Sequence, residues 1–415
     1  MKNTVGFYKW ELLIWLWLAF FFNQADRQIF NILLPLIKID LQLTDVQLGL
    51  ISSLFILVIG VFIPIAGVVG DMFSKKRIIW ISVLFWSAAT LLTGASTSLI
   101  HLILFRSIAV GGGEAFYAPA ANALIGEYHK KTRALAMSVH QTSLYAGVIL
   151  SGTIGGFIAQ WYGWKFAFYI FGGTGIVLAA LLAWRIKSTK LINTFSENTN
   201  RAGFVKEAVL ALFRKPTAIL LGMAFACLVF VNVAYLTWTP TFLHEKFDLS
   251  ISEAGFSSMF YHHIFAFVGV IFGGWLSDKL ASKSSRNRLA IQSAGLLLGA
   301  PFIFLMGRAE SATYTYVMLA AFGFFRGIYE ANTYTTLFLV IKPEYRSTSV
   351  GIISMFAFIT GAIAPLLLGY LKPIIGLSTG LSFLSVAYIL GGLLILVALF
   401  KFYKRDVVLT DQQEL

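Results

Sequence analysis

Residues Arg106 to Arg133 read RSIAVGGGEAFYAPAANALIGEYHKKTR. An arginine stands inside an apolar run, and three glycines, Gly111, Gly112 and Gly113, follow it. Then come a glutamate, Glu114, a small-residue stretch around Pro119, and a basic cluster of Lys130, Lys131 and Arg133. Ionisable groups at membrane depth are costly and face a cavity or a partner. The glycines let a neighbouring helix approach closely, and Pro119 can kink the helix that carries it. A terminal basic cluster marks a cytoplasmic end. The stretch therefore reads as a helix lining a polar path through a membrane.

The rest of the chain agrees with that reading. Of 415 residues, 58% are hydrophobic and only 12% charged, about half the charge of a soluble protein, and the mean hydropathy is +0.79. Thirty-eight Phe and ten Trp suit lipid-facing helices and interfacial belts. The net charge of +13 does not indicate nucleic acid, because the Lys and Arg sit in short loops between apolar runs rather than on one face. The one cysteine, Cys227, excludes an intramolecular disulfide.

Twelve apolar segments of spanning length are expected, near 10–36, 46–69, 78–96, 99–127, 134–159, 165–186, 216–243, 253–277, 289–307, 313–341, 348–370 and 378–402. The first is read as a retained helix rather than a signal peptide, since apolar chain continues past Asp26 and Arg27 with no small-residue cleavage site. With the N-terminus inside, the cytoplasmic segments hold 24 of the 32 Lys and Arg and the outer loops only Lys38, Lys165, Lys246, Arg308 and Lys372. Both termini are thus expected in the cytoplasm. The chain is an all-α membrane protein in this reading, with a six-helix lobe over 1–186, a cytoplasmic linker over 187–214 and a second six-helix lobe over 215–415. The second part of the linker is either an interfacial amphipathic helix, with Val205, Ala208, Val209 and Leu212 on one side, or a plain flexible connection.

The two halves echo each other. Gly67-Val-Val-Gly70-Asp71 runs into Lys75, Lys76 and Arg77, and Gly274-Trp-Leu-Ser277-Asp278 runs into Lys279. In both, a Gly for close helix packing precedes an Asp that can pair with a basic residue or a helix N-terminus, forming a conformational latch of Gly67, Asp71, Arg77, Gly274 and Asp278. Glu127-Tyr128 with Arg133 is echoed by Glu344-Tyr345-Arg346. Parallel six-helix repeats are a sign of a two-lobed transporter with its site between the lobes.

These motifs resemble the major facilitator superfamily. Asn23-Gln24-Ala25-Asp26-Arg27 and Gly113-Glu114-Ala115-Phe116-Tyr117-Ala118-Pro119 resemble the signatures of its anion–cation symporters, which carry hexuronates and sialic acid, and the Spinster branch has similar ones. The chain departs from the pattern at Gln24, where an aromatic is usual, and at Met72, where a basic residue is usual. It also departs in spacing: Arg106 and Glu114 are eight residues apart, where relatives show seven. At 100° per residue the extra residue turns their relative bearing from about −20° to about +80° unless a bulge absorbs it.

Asp26, Glu114 and Glu330 are the candidate proton carriers, since a buried carboxylate beside a cation changes charge with access. The alternative for each is a structural ion pair with Arg27, Arg106 or, at i,i+4, Arg326. Arg27, Arg106 and Arg326 are candidate ligands of an anionic substrate, because the guanidinium fork matches a carboxylate. Tyr117, Asn122, His140, Gln141, Tyr145, Tyr235 and Asn332 are candidate polar contacts, with helix packing as the alternative. His262 and His263 can titrate, but equally can be satisfied polar groups. Zinc-ligand spacing, a nucleotide loop and hydrolase motifs are absent from the sequence, so no metal, cofactor or enzymatic activity is expected. The expected function is proton-coupled symport of a small organic anion such as a hexuronate or sialic acid, by alternating access, in a bacterial inner membrane and as a monomer. A Spinster-like lysolipid or hydrophobic-drug exporter is the alternative.

Overall fold

The computed structural model describes residues 2–130, 132–187, 201–282 and 284–408, without the side chains of 2–7, 67, 68, 70–72, 134, 201, 202, 204, 205 and 347. The described residues form helices and no strand. In chain order these are α1 Lys2–Ile32, α2 Leu34–Asp40, α3 Asp45–Met72, α4 Lys75–Gly94 and α5 Leu99–Leu102; then a π-helical run Ile103–Val110, α6 Gly111–Glu114, α7 Tyr117–Tyr128, α8 Arg133–Tyr162, α9 Trp164–Arg185 and α10 Arg201–Phe213. The second half holds α11 Pro216–Phe247, α12 Ile251–Ala281, α13 Arg286–Arg308, α14 Ala312–Glu330, α15 Thr333–Phe338, α16 Arg346–Val397 and α17 Tyr403–Asp406. Among the described residues, nine helical stretches are long and apolar enough to cross a membrane. Exposed Ile14, Phe157, Trp161, Trp184, Phe272, Trp275 and Phe400 give the helices the apolar outer surface that lipid requires.

Local chemistry sets the helix boundaries. Pro35 stands at the start of α2, where its missing N–H costs nothing, and the chain breaks at Leu33 just before it. Pro119 leaves the carbonyl of Ala115 without its helical donor, and the helix is interrupted at Ala115–Phe116, between α6 and α7. Thr44 caps α3 in a capping box with Gln47: the Thr44 hydroxyl accepts from the Gln47 amide at 3.2 Å and Gln47 Oε1 accepts from the Thr44 amide at 2.9 Å. Beside it, Asp40 accepts from the Trp164 indole at 3.0 Å and pairs with Lys165. Those two contacts hold its carboxyl below the usual range.

Helix caps and left-handed residues recur in the same order in the first and second parts of the chain. Ser250 and Glu253 at the head of α12 reproduce the reciprocal Thr44–Gln47 cap. Ser98 caps α5 and Ser311 caps α14, each accepting the amide three residues on. Left-handed residues also recur in order: Gln42 (φ 51°) before α3 and Asp248 (φ 53°) before α12, then Gly163 (φ 86°) before α9 and Gly376 (φ 75°) inside α16. At Gly163 and Gly376, ψ is 158°, a region open essentially to glycine alone. We therefore expect Gly376→Ala to cost about 1–3 kcal/mol in detergent unfolding, although a Cβ there would meet nothing within 4 Å. An unchanged midpoint would show that this turn is not under such conformational restriction.

Two compact units divide the chain. Of the described residues, the first takes those up to 187, Leu236–Met259 and Pro365–Tyr370; the second takes 201–235, Phe260–Ala364 and 371–408. In the first unit, α8 lies against the beginning of α12, where a Cβ on Gly152 would lie 2.5 Å from the Gly255 carbonyl carbon and one on Gly156 2.6 Å from Ser252 Cα. The Trp238 indole donates to the Pro365 carbonyl at 3.0 Å in the same unit. In the second, α10 covers the linker's second part: Arg201–Phe213 is helical, with Ala208 and Leu212 buried, Val209 half-buried, and Leu210 and Phe213 exposed. Residues 188–200 of the linker, Lys131, Lys283 and the side chain of Val205 lie outside the described residues.

Candidate functional site

The first unit carries a buried cluster of charge. Asp26 and Glu114 are 1% and 2% exposed, Arg106 2%. The π-helical run Ile103–Val110 solves the spacing problem between the last two. Each i→i+5 turn takes in one residue more than an α turn, so the eight-residue step from Arg106 to Glu114 spends its extra residue there, just ahead of the glycines. Arg106 donates through Nη2 to the Arg27 carbonyl at 2.9 Å, and Arg27 Nε meets Glu114 Oε2 at 2.5 Å. Both residues thus converge on Arg27. The Arg106 guanidinium also lies 4.1 Å from the Phe55 ring centre and 5.2 Å from that of Phe30, a cation–π arrangement. Its Nε and Nη1 have no hydrogen-bond partner, nor do Asp26 Oδ1 and Glu114 Oε1. Asp26 receives a 3.4 Å bond from the Thr90 hydroxyl of α4. Buried groups left with unused hydrogen-bonding capacity are costly, and this cluster keeps four such atoms.

The glycines divide the packing among themselves. A Cβ on Gly113 would come 2.8 Å from Phe85 and 3.2 Å from Trp86, and one on Gly111 3.1 Å from the Phe55 carbonyl, whereas one on Gly112 would meet nothing within 4 Å. Close packing thus belongs to the outer two of the three.

The second unit carries its own cation. Arg326 on α14 places Nε and Nη2 at 2.9 and 2.6 Å from Glu330 Oε1, the expected i,i+4 pair. A third contact was not foreseen: Arg326 Nη1 lies 2.8 Å from His262 Nε2 on α12. His262 is fully buried against Tyr235 and Phe322, with ring centres at 4.4 and 4.5 Å. The contact exists because α12 and α14 touch backbone to backbone. Cβ atoms on Gly269, Gly323 and Gly327 would lie 2.0–2.1 Å from the carbonyl oxygens of Phe324, His262 and Ala266. The signal that would have found it is a facing pair of Gly-x-x-x-Gly motifs, Gly269/Gly273 and Gly323/Gly327.

Of the other expected contacts, Tyr117 donates to the Leu16 carbonyl at 2.6 Å and lies 3.3 Å from His140 Nε2, and His140 stacks on Phe20. Tyr117, His140 and Phe20 form a buried aromatic cluster, with the Trp86 ring 5.7 Å from that of Tyr117. Tyr235 packs on His262, and Asn332 is buried and accepts from the Ser277 hydroxyl at 2.6 Å. Asn122 and Gln141 are exposed and Tyr145 is half-buried.

The latch motifs are realised unevenly. Asp278 pairs with Arg288 at 2.8 Å, and Arg288 also donates to Ser277. In the second unit the expected packing glycine is one residue off. Gly274 has nothing within 4 Å of a Cβ, while one on Gly273 would lie 2.7 Å from Ile328 Cα. The pattern Gly-x-x-x-Asp marks the position of the loop, but the helix face that meets α14 carries Gly273. In the first unit Arg77 is exposed and Lys75 pairs with Glu127 at 2.7 Å; the side chain of Asp71, like Gly67, lies outside the described residues. Among the described residues no group of three or more His, Cys, Asp or Glu is placed to hold a metal.

The model of the Major Facilitator Superfamily matches residues 16–365. The chain belongs to that superfamily. Its fold and relatives are those of membrane transporters, not enzymes. It is 24% identical to the hexuronate transporter of Bacillus subtilis (strain 168), over 94% of this chain and 93% of the relative. It is 26% identical to a probable galactarate/D-glucarate transporter of the same organism, over 98% and 95%. The crystal structure of a bacterial homologue of the human lysosomal transporter Spinster, inward-facing and unoccupied, superposes with a TM-score of 0.83 at 22% identity, over 97% of this chain and 99% of that one. At that identity the likeness concerns the fold.

Proposed function

We propose that this major facilitator protein is a proton-coupled symporter of a small organic anion, a sugar acid such as a hexuronate, working by alternating access. The observation that carries the reading is the Arg27–Glu114 pair: a carboxylate with no solvent access held by a guanidinium that is partly open. Protonation of Glu114 removes the charge that holds Arg27, and the freed fork suits a substrate carboxylate. Asp26 is the second candidate carrier in the same cluster and Glu330 the candidate in the second unit. Arg106 and Arg326 add positive potential for the anion. The hexuronate and glucarate relatives support the substrate class. The proposal includes twelve spans in two six-helix lobes over 1–186 and 215–415, cytoplasmic termini, a monomer, and a bacterial inner membrane. The charge asymmetry of the loops supports the orientation.

Proteoliposomes under an inward proton gradient test this. Current with one sugar acid from a panel of hexuronates, sialic acid and dicarboxylates is expected, lost in Glu114→Gln with binding retained. Silence toward every anion, together with binding of lysolipids or hydrophobic cations, would move the protein to export of amphiphiles.

A further inference from the structure

The Arg326–His262 contact fixes the protonation state of a buried histidine. Arginine has donors only, so at 2.8 Å His262 Nε2 presents its lone pair, and the ring is neutral with its proton on Nδ1. A proton arriving at Nε2 would destroy the acceptor and set two cations face to face. His262 cannot retreat: its backbone lies against Gly323, and Tyr235, His263 and Phe322 surround its ring. Arg326 is the partner that can move, since its side chain is 12% exposed and long. It then keeps Glu330 as its one charged partner among these contacts.

We propose that His262 is a proton site of the second unit, and that its protonation releases Arg326 toward the carboxylate of the transported anion. By linkage the converse follows: an anion that draws Arg326 away leaves Nε2 free to take a proton, so each ligand favours the other. The titratable and charged groups facing His262 are Arg326 and Glu330 on α14, Tyr235 on α11 and its neighbour His263; Tyr388 on α16 lies beyond Phe322. The inference rests on the anion-symport reading for its substrate and adds a coupling residue that does not touch substrate. His262 acts through the position of Arg326.

The test uses the full chain purified in nanodiscs, D-glucuronate and D-galacturonate as probes, and variants His262→Phe and His262→Gln. Phenylalanine keeps an aromatic ring among its aromatic neighbours and removes the acceptor. Glutamine keeps an acceptor that does not titrate. Wild-type affinity is expected to rise as pH falls, and this rise should be shallower by up to ~tenfold per pH unit in both variants, the amount one linked proton supplies. Equal pH slopes in wild type and both variants would overturn the proposal while leaving the symport reading intact. Should wild type bind neither probe, the symport reading loses its support, and 15N spectra of the histidines still decide the switch. The switch stands if Nε2 is bare at high pH, becomes protonated at low pH, and the Arg326 signals move with it. It falls if Nε2 carries a proton throughout or the Arg326 signals do not respond.

Discussion

Arg27→Met is expected to destabilise the protein by about 3–5 kcal/mol in detergent unfolding, the range for removing one partner of a buried ion pair, and to abolish transport. The side chain of Glu114 has no solvent access, and Arg27 Nε, 2.5 Å from Oε2, is its hydrogen-bond partner. Taking Arg27 away strands a carboxylate whose other oxygen, Oε1, is already without a partner. Glu114→Gln should cost less, because it leaves a guanidinium that is 22% exposed and can turn to water. The double variant Arg27→Met/Glu114→Gln should recover much of the loss, since most of the single-variant cost is the stranded charge rather than the lost attraction. Unfolding midpoints of the four proteins close this cycle. Additive effects would mean that the two groups are not coupled, and the proton-release step argued for Arg27 would fail with them.

Gly323→Ala is expected to lower stability and to silence the second cation site together. The new Cβ would sit 2.1 Å from the His262 carbonyl oxygen, a backbone atom that cannot swing aside, so α12 and α14 must separate. Overpacking of this kind costs about 1–3 kcal/mol, with up to ~1 kcal/mol returned by the better helix propensity of alanine. The larger consequence is geometric. Separation acts directly on the 2.8 Å contact between Arg326 and His262, so hexuronate affinity should lose the same part of its pH dependence that His262→Phe removes. Gly274→Ala and Gly112→Ala are the controls: neither Cβ meets anything within 4 Å, and both should be neutral or slightly stabilising. If Gly323→Ala behaves like those two in midpoint and in binding, backbone contact between α12 and α14 does not hold the site.

The helical character was readable because a bilayer leaves so little choice: an apolar run of about 20 residues must satisfy its own backbone. Arg326 and Glu330 were also readable as a pair, since i,i+4 spacing on one helix is a local property. Arg27 and Glu114 were each readable as groups in search of a partner. Their mutual pairing stood only as an alternative that left Arg27 and Arg106 both open, because 87 residues separate Arg27 from Glu114 and nothing local chooses between the two arginines. His262 shows the limit most clearly. Its sequence neighbours gave a titratable ring among apolar groups, and only α14 lying on Gly269 and Gly273 supplies the guanidinium that makes its protonation state matter.

The sequence by itself determined membrane class, the all-helical fold and the superfamily resemblance, because apolar run length, loop charge and Gly-x-x-x-Asp motifs are written along the chain. It also posed the question of the Arg106–Glu114 spacing. The answer depended on tertiary structure: a π-helical run is stabilised by what surrounds it, and here Phe30, Phe55 and the Arg27 carbonyl receive the guanidinium that the extra residue redirects. Which glycine packs was likewise decided in three dimensions. Gly273 and Gly274 are adjacent in sequence but about 100° apart around the helix, and a neighbouring helix can cover only one of them.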